Sequence, residues 1–152
     1  MNLRDLELAL LEALKNSKRL DSVAHILTAY ENSNWKDYVK FSDESYVRNL
    51  VCRNDVFEIF IICWKSNQKS PIHNHAKNGC LMKVLDGALD QDMYSHDLQF
   101  LGTSTVHTSE VSYIHDDIGL HTIENKQPKS TSVSLHVYSP PRHKTLIYSD
   151  KN

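Results

Sequence analysis

The sequence predicts a mainly β protein, a barrel or jelly roll preceded by two or three α-helices, and three observations predict it. Apolar residues recur at helical spacing only in about the first 40 residues. From Tyr46 onward they come instead in short runs rich in β-branched and aromatic side chains, and turn-forming residues separate those runs. Many short strands joined by turns are the signature of a closed or double-sheet β architecture.

Leu3, Leu6, Leu10 and Leu14 recur at three and four residues, so the first helix is expected to run to about Asn16 and Ser17. Asp21 is placed to cap a second helix, whose stripe is Val23, Ile26, Leu27 and Tyr30. Trp35, Tyr38 and Val39 suggest one further turn. Strands are expected at Tyr46–Cys52, Val56–Trp64, Cys80–Leu85, Ala88–Tyr94, Val111–His115, Leu120–Glu124 and Ser132–Tyr138. Asp86-Gly87 between two of them reads as a hairpin, because both residues tolerate positive φ. No repeat, linker or low-complexity stretch intervenes, so residues 1–152 are expected to form one domain, with helices over 1–40 and a barrel over 46–141.

Composition narrows the partners. A chain of 152 residues, 40% hydrophobic and 24% charged, can bury a core without staples, and a formal charge of −2 carries no footprint for nucleic acid or an anionic membrane surface. The first 20 residues hold Asp5, Glu7 and Glu12, unlike a targeting peptide, and no run approaches a membrane span. Cys52, Cys63 and Cys80 are an odd set without paired spacing, as in a reducing compartment. The expectation is a cytoplasmic monomer acting on a small molecule.

Nine histidines direct attention to metal chemistry. In Pro71-Ile72-His73-Asn74-His75 two imidazoles share one face of an extended chain, their Cα atoms about 7 Å apart. Alone this is a weak signal. Cys80 and Gly87 follow, and later Gly119-Leu120-His121 and Asn125. In Ser132–Tyr138, Ser132, Ser134, His136 and Tyr138 alternate with Val133, Leu135 and Val137, so one face is core and the other is either solvated or a polar cavity.

Together these segments resemble the two motifs of the cupin superfamily, with Cys80 where many cupins carry a glutamate ligand. Tyr46-Val47-Arg48-Asn49-Leu50 upstream and Ser134-Leu135-His136-Val137-Tyr138-Ser139-Pro140-Pro141 downstream narrow the resemblance to the cysteine dioxygenase family, over about Tyr46 to Pro141. The resemblance implies a cupin jelly roll and oxidation of L-cysteine by dioxygen to cysteine sulfinic acid. It implies Fe(2+) held by His73, His75 and His121, with no carboxylate ligand to offset its charge. It further implies a Ser134–His136–Tyr138 relay, a thioether joining Cys80 to Tyr138, Arg48 with Tyr46 on the substrate carboxylate, and a cis Ser139-Pro140 peptide. An arginine also suits a carboxylate by its planar fork of donors.

Two departures from vertebrate members bear on the pocket: Thr122 follows the third histidine where they carry arginine, and eleven residues follow Pro141, a shorter tail that looks more like bacterial members. Alternative readings are a dioxygenase of mercaptopropionate or cysteamine, a zinc-dependent cupin, and a non-catalytic metal-binding cupin. Cys52 and Cys63 read as buried inert thiols, and His25, His96, His107, His115 and His143 as solvated or core side chains.

Overall fold

A computed structural model describes residues 1–148; residues 149–152 of the expected unit lie outside the described residues. Helix α1 spans Leu3–Ala13 and starts at a capping box: Asn2 accepts from the Asp5 N–H (2.9 Å), and the Asp5 carboxylate accepts from the Asn2 N–H (3.0 Å). The helix ends earlier than its leucine stripe suggests, with Leu14 already outside it but still buried. Helix α2 spans Ala24–Ala29 and grows out of a 3-10 turn over Leu20–Val23. Asp21 lies within that turn and does not cap α2; its carboxylate binds Arg19 instead (2.8 Å). A second 3-10 turn covers Asn34–Tyr38.

The β region forms two five-stranded antiparallel sheets. Strands β1 (Val47–Arg53), β2 (Glu58–Trp64), β9 (Ser132–Tyr138), β4 (Cys80–Asp86) and β7 (Val111–Ile114) make the first, in that spatial order. Strands β10 (Ile147–Tyr148), β3 (Ile72–His73), β8 (Leu120–Glu124), β5 (Ala88–Tyr94) and β6 (Phe100–His107) make the second. The predicted hairpin at Asp86-Gly87 is not one. β4 and β5 lie in different sheets, and Gly87 carries the chain between them. Positive φ was the correct part of that reading: Gly87 sits at φ +80°, and a Cβ there would come within 2.5 Å of Ser132 Oγ.

Two hydrophobic layers follow from strand alternation. Val133, Leu135 and Val137 of β9 turn outward with Ile59 and Ile61 of β2 and pack under Leu6, Leu10, Leu20 and Leu27. A fully buried leucine contributes about 1.5–3 kcal/mol, so this layer secures the helices. Lys83 on β4 fastens them further: its Nζ donates to the carbonyls of Leu27 (3.2 Å) and Thr28 (3.1 Å) in the last turn of α2, where carbonyls run short of helical donors. The inward side chains Phe60, Ile62, Trp64, Met82, Val84, Leu89 and Ile123 fill the barrel below the site.

Candidate metal centre and cavity

β3 and β8 pair antiparallel with His73 directly opposite His121, and His75 follows two residues on, so local register alone gathers three imidazoles. Their ligating nitrogens all lie within 4.8 Å of one another. His121 Nε2 stands 2.9 Å from His75 Nε2 and 3.1 Å from His73 Nε2.

The opposite side of each ring fixes its tautomer. His73 Nδ1–H donates to the Pro71 carbonyl (2.8 Å), His75 Nδ1–H to Asp116 Oδ1 (3.2 Å), and His121 Nδ1–H to Gln91 Oε1 (2.7 Å). Each Nε2 is therefore a lone pair. Three lone pairs facing one another repel unless a cation stands among them, and three ligands at roughly 2.1 Å on mutually perpendicular bonds would stand about 3 Å apart. The donor set fits a metal ion. Burial, reinforced by the other imidazoles, holds His75 down to about 3 and His121 well below the ordinary histidine range, so the rings stay neutral and able to ligate.

The inward face of β9 meets this centre across the barrel. Ser132, Ser134 and His136 are buried, which rules out the solvated alternative for that face. The Trp64 indole N–H can only donate, and it does so to Ser134 Oγ (3.0 Å). Ser134 is then free to donate to His136 Nε2 (2.8 Å), which leaves the hydrogen of the neutral ring on Nδ1, 3.2 Å from Tyr138 Oη. Burial, followed by the Arg48 charge, lowers His136 to about 3 and keeps it uncharged. The phenol of Tyr138 is pushed far up by burial, so it holds its proton and can offer it to the cavity.

Cys80 is paired with Tyr138 across β4 and β9, and its Sγ lies 3.9 Å from His136 Nδ1. Burial pushes its thiol up to about 12. Arg48, on edge strand β1, folds its guanidinium over the Phe60 ring (4.4 Å to the centroid) and beside Tyr138 (5.4 Å). Tyr46 stacks on Trp64 with ring centroids 4.6 Å apart. All nine predicted site residues are thus brought together except that Ser134 stands one step back, acting through His136; the others line one cavity of about 190 Å³.

Sequence reading missed Gln91, Asp116 and His143. Gln91 did leave a signal: it is the polar residue on the inward face of β5, in phase with Leu89. Asp116 and His143 sit in irregular segments where no periodicity reports facing. The cis Ser139-Pro140 peptide is present as the resemblance implied. Cys52 and Cys63 stay away from the site; burial raises both thiols, Cys52 to about 12. No helix among the described residues is long and apolar enough to cross a membrane.

Comparison with known proteins agrees with this geometry. A family model described as Cysteine dioxygenase type I matches residues 3–151. Cysteine dioxygenase type 1 of Rattus norvegicus is 36% identical over 131 residues, covering 80% of this chain. The chain spans 66% of the length of that relative. Among solved structures, a conserved protein with a double-stranded β-helix domain from Klebsiella pneumoniae superposes with a TM-score of 0.65 at 13% identity, covering 79% of this chain and 93% of the other. A cupin 2 conserved barrel domain protein from Leptotrichia buccalis gives 0.55 at 15%, covering 68% and 45%. At those identities the likeness concerns the fold, which is that of the cupins.

Proposed function

Since the chain belongs to the cysteine dioxygenase type I family, we propose that it oxidises free L-cysteine with dioxygen to cysteine sulfinic acid, as a cytoplasmic enzyme of one domain over residues 1–152. The observation that carries this reading is the ring of three Nε2 lone pairs, each fixed by a hydrogen bond behind it, facing a phenol with its own relay.

His73, His75 and His121 would hold Fe(2+), which when bound supplies a Lewis-acidic centre with open positions where a thiolate and dioxygen can meet. Arg48 would take the substrate carboxylate in two parallel charge-assisted hydrogen bonds, with the Tyr46 phenol beside it. Tyr138 would offer its O–H to the reacting group, oriented by His136, whose ring Ser134 and Trp64 hold in register. The same register supports a thioether between Cys80 Sγ and the Tyr138 ring. That bond replaces one S–H and one C–H, with two protons and two electrons passing to dioxygen as oxidant, and it would lock the phenol in place. Every group named comes from one chain, so a monomer suffices.

The test is dioxygen consumption by Fe(2+)-loaded protein with L-cysteine, mass spectrometry of the product, and an Arg48→Gln variant. Gain of two oxygen atoms on sulfur, weakened in the variant, supports the reading. Uptake only with mercaptopropionate or cysteamine would move the substrate, and no uptake with any thiol would overturn the reading in favour of a zinc-dependent or non-catalytic cupin.

A further inference from the structure

The segment after the cis-proline returns to the metal site as a strap. Ile147 and Tyr148 of β10 pair with His73 and Ile72 of β3. Asn74, the residue between two of the three clustered histidines, ties the strap down with both backbone and side chain. Its N–H donates to the Leu146 carbonyl (3.2 Å), and its Oδ1 accepts from the Leu146 N–H (2.7 Å) and lies 3.2 Å from His143 Nε2. A backbone N–H can only donate, so the atom facing it is the amide oxygen, and His143 Nε2 must therefore carry a hydrogen and donate. The His143 ring is thereby fixed at the cavity, which it lines together with Thr145 and Ile147.

The sheet orders show which side this is. β2 leads to β3, β4 to β5, β6 to β7 and β8 to β9, and each of these pairs occupies the same place in its sheet. β1 and β10, the remaining strands, therefore flank the same side of the barrel. Arg48 borders the opening from β1, and the strap borders it from β10. The cavity, of about 190 Å³, has room for a molecule the size of cysteine, and His143 stands on its wall.

Resting on the reading of this cavity as a thiol site, we propose that His143 is a specificity-determining residue, a wall beside the carboxylate end of the substrate that admits free small thiols and turns away cysteine carried at the start of a peptide. A peptide extends from the same carbon whose carboxylate Arg48 would hold, and that extension runs into the fixed ring. The chemistry at sulfur is unaffected by such a wall; only what may be attached beyond the carboxyl carbon changes.

The test compares the iron-loaded protein with His143→Ala, His143→Gln and His143→Phe, using cysteine and cysteinylglycine. Steady-state turnover gives kcat and KM for each, and calorimetry without dioxygen gives the dissociation constants. The preference in kcat/KM for cysteine is expected to fall about ten-fold in His143→Ala, through a lower KM and tighter binding of the dipeptide, as size discrimination by one wall allows. His143→Phe should keep the preference, because bulk rather than a nitrogen supplies it, and His143→Gln provides a smaller side chain that keeps the donor to Asn74 should the alanine variant fold poorly. A preference unchanged in folded, iron-loaded His143→Ala and His143→Gln overturns the proposal. If the wild type oxidises neither thiol, the functional reading fails instead, and the dissociation constants still report whether the wall excludes the dipeptide.

Discussion

The two sheets hold their functional groups by different physics. The centre of the first sheet is covered on both faces: β2 is buried along its whole length and β9 along nearly all of it, with helices outside and the barrel interior inside, while edge strand β1 is partly exposed. In the second, β8 is buried up to Glu124, but β5 shows every other residue to solvent and β6 is largely exposed. The relay of Ser134, His136 and Tyr138 therefore has apolar packing behind its strand as well as its own chain of hydrogen bonds, whereas the rings of the histidine cluster are each aimed by a hydrogen bond, to Pro71, Asp116 and Gln91. Packing defects should reach the first sheet as lost stability, and polar defects should reach the second as lost metal.

The largest effects test that division. His121→Ala takes away the nitrogen that neighbours both other ligating nitrogens; iron retained after gel filtration should fall to background, and thiol oxidation by more than about a hundredfold, with the melting temperature of metal-free protein nearly unchanged. Leu135→Ala should do the reverse. It deletes a fully buried side chain between β9 and the helices, at a cost of about 2–5 kcal/mol. With roughly 2–4 °C lost per kcal/mol in a chain of this length, the melting temperature should drop by about 4–20 °C while iron content holds. Leu135→Ala protein that folds normally but binds no iron would show that the sheets are not separable in this way.

A smaller effect comes from His136, a titratable group buried on the inward face of β9. In the unfolded chain a histidine takes up a proton near 6.5, whereas in the fold burial holds His136 down to about 3. Between those values the unfolded state binds more protons, so stability is complete above about 6.5 and declines as pH falls toward 3. Thermal melts of metal-free protein from pH 7 to pH 4 should show that decline. His136→Gln should flatten it without removing it, because His75 on the other side is lowered in the same direction. An equally steep decline in the variant would place the burden wholly on the histidine cluster.

This division also explains how much could be read in advance. The first sheet was legible because packing writes itself into sequence: alternation in Ser132–Tyr138 separated Val133, Leu135 and Val137 from Ser134, His136 and Tyr138 without any structure. The three histidines were legible by resemblance, since nothing in the spacing of His73, His75 and His121 says that β3 and β8 pair. Strand β6 went unseen because an edge strand buries almost nothing; in Phe100–His107 only Val106 is buried, and Gly102 with the surrounding hydroxyls reads as a loop. β10, two residues long, has no pattern to show. The hairpin error at Gly87 has the same root. A positive φ is a local property that the residue announces, but whether the chain then returns in the same sheet or crosses to the other is decided by pairing far away, β4 with β7 and β9, β5 with β6 and β8.

The smallest prediction sharpens the comparison most, because it changes a polar support without touching a ligand. Gln91 Oε1 accepts the Nδ1–H of His121, and among the described residues no other hydrogen-bond partner holds that side of the ring. Gln91→Leu keeps the inward bulk of β5 but leaves a buried donor unpaired and the ring free to turn or to move its hydrogen to the ligating nitrogen. Metal affinity should fall about 10–100-fold, read by competition with a chelator, with a small change in melting temperature of the metal-free protein. Gln91→Glu should keep the hydrogen bond and, by placing negative charge behind the ring, make Nε2 a stronger donor. Affinity should then match or exceed that of the unmodified protein. If leucine and glutamate weaken binding equally, the geometry of β5 rather than the hydrogen bond sets His121, and the second sheet would be governed by packing just as the first is.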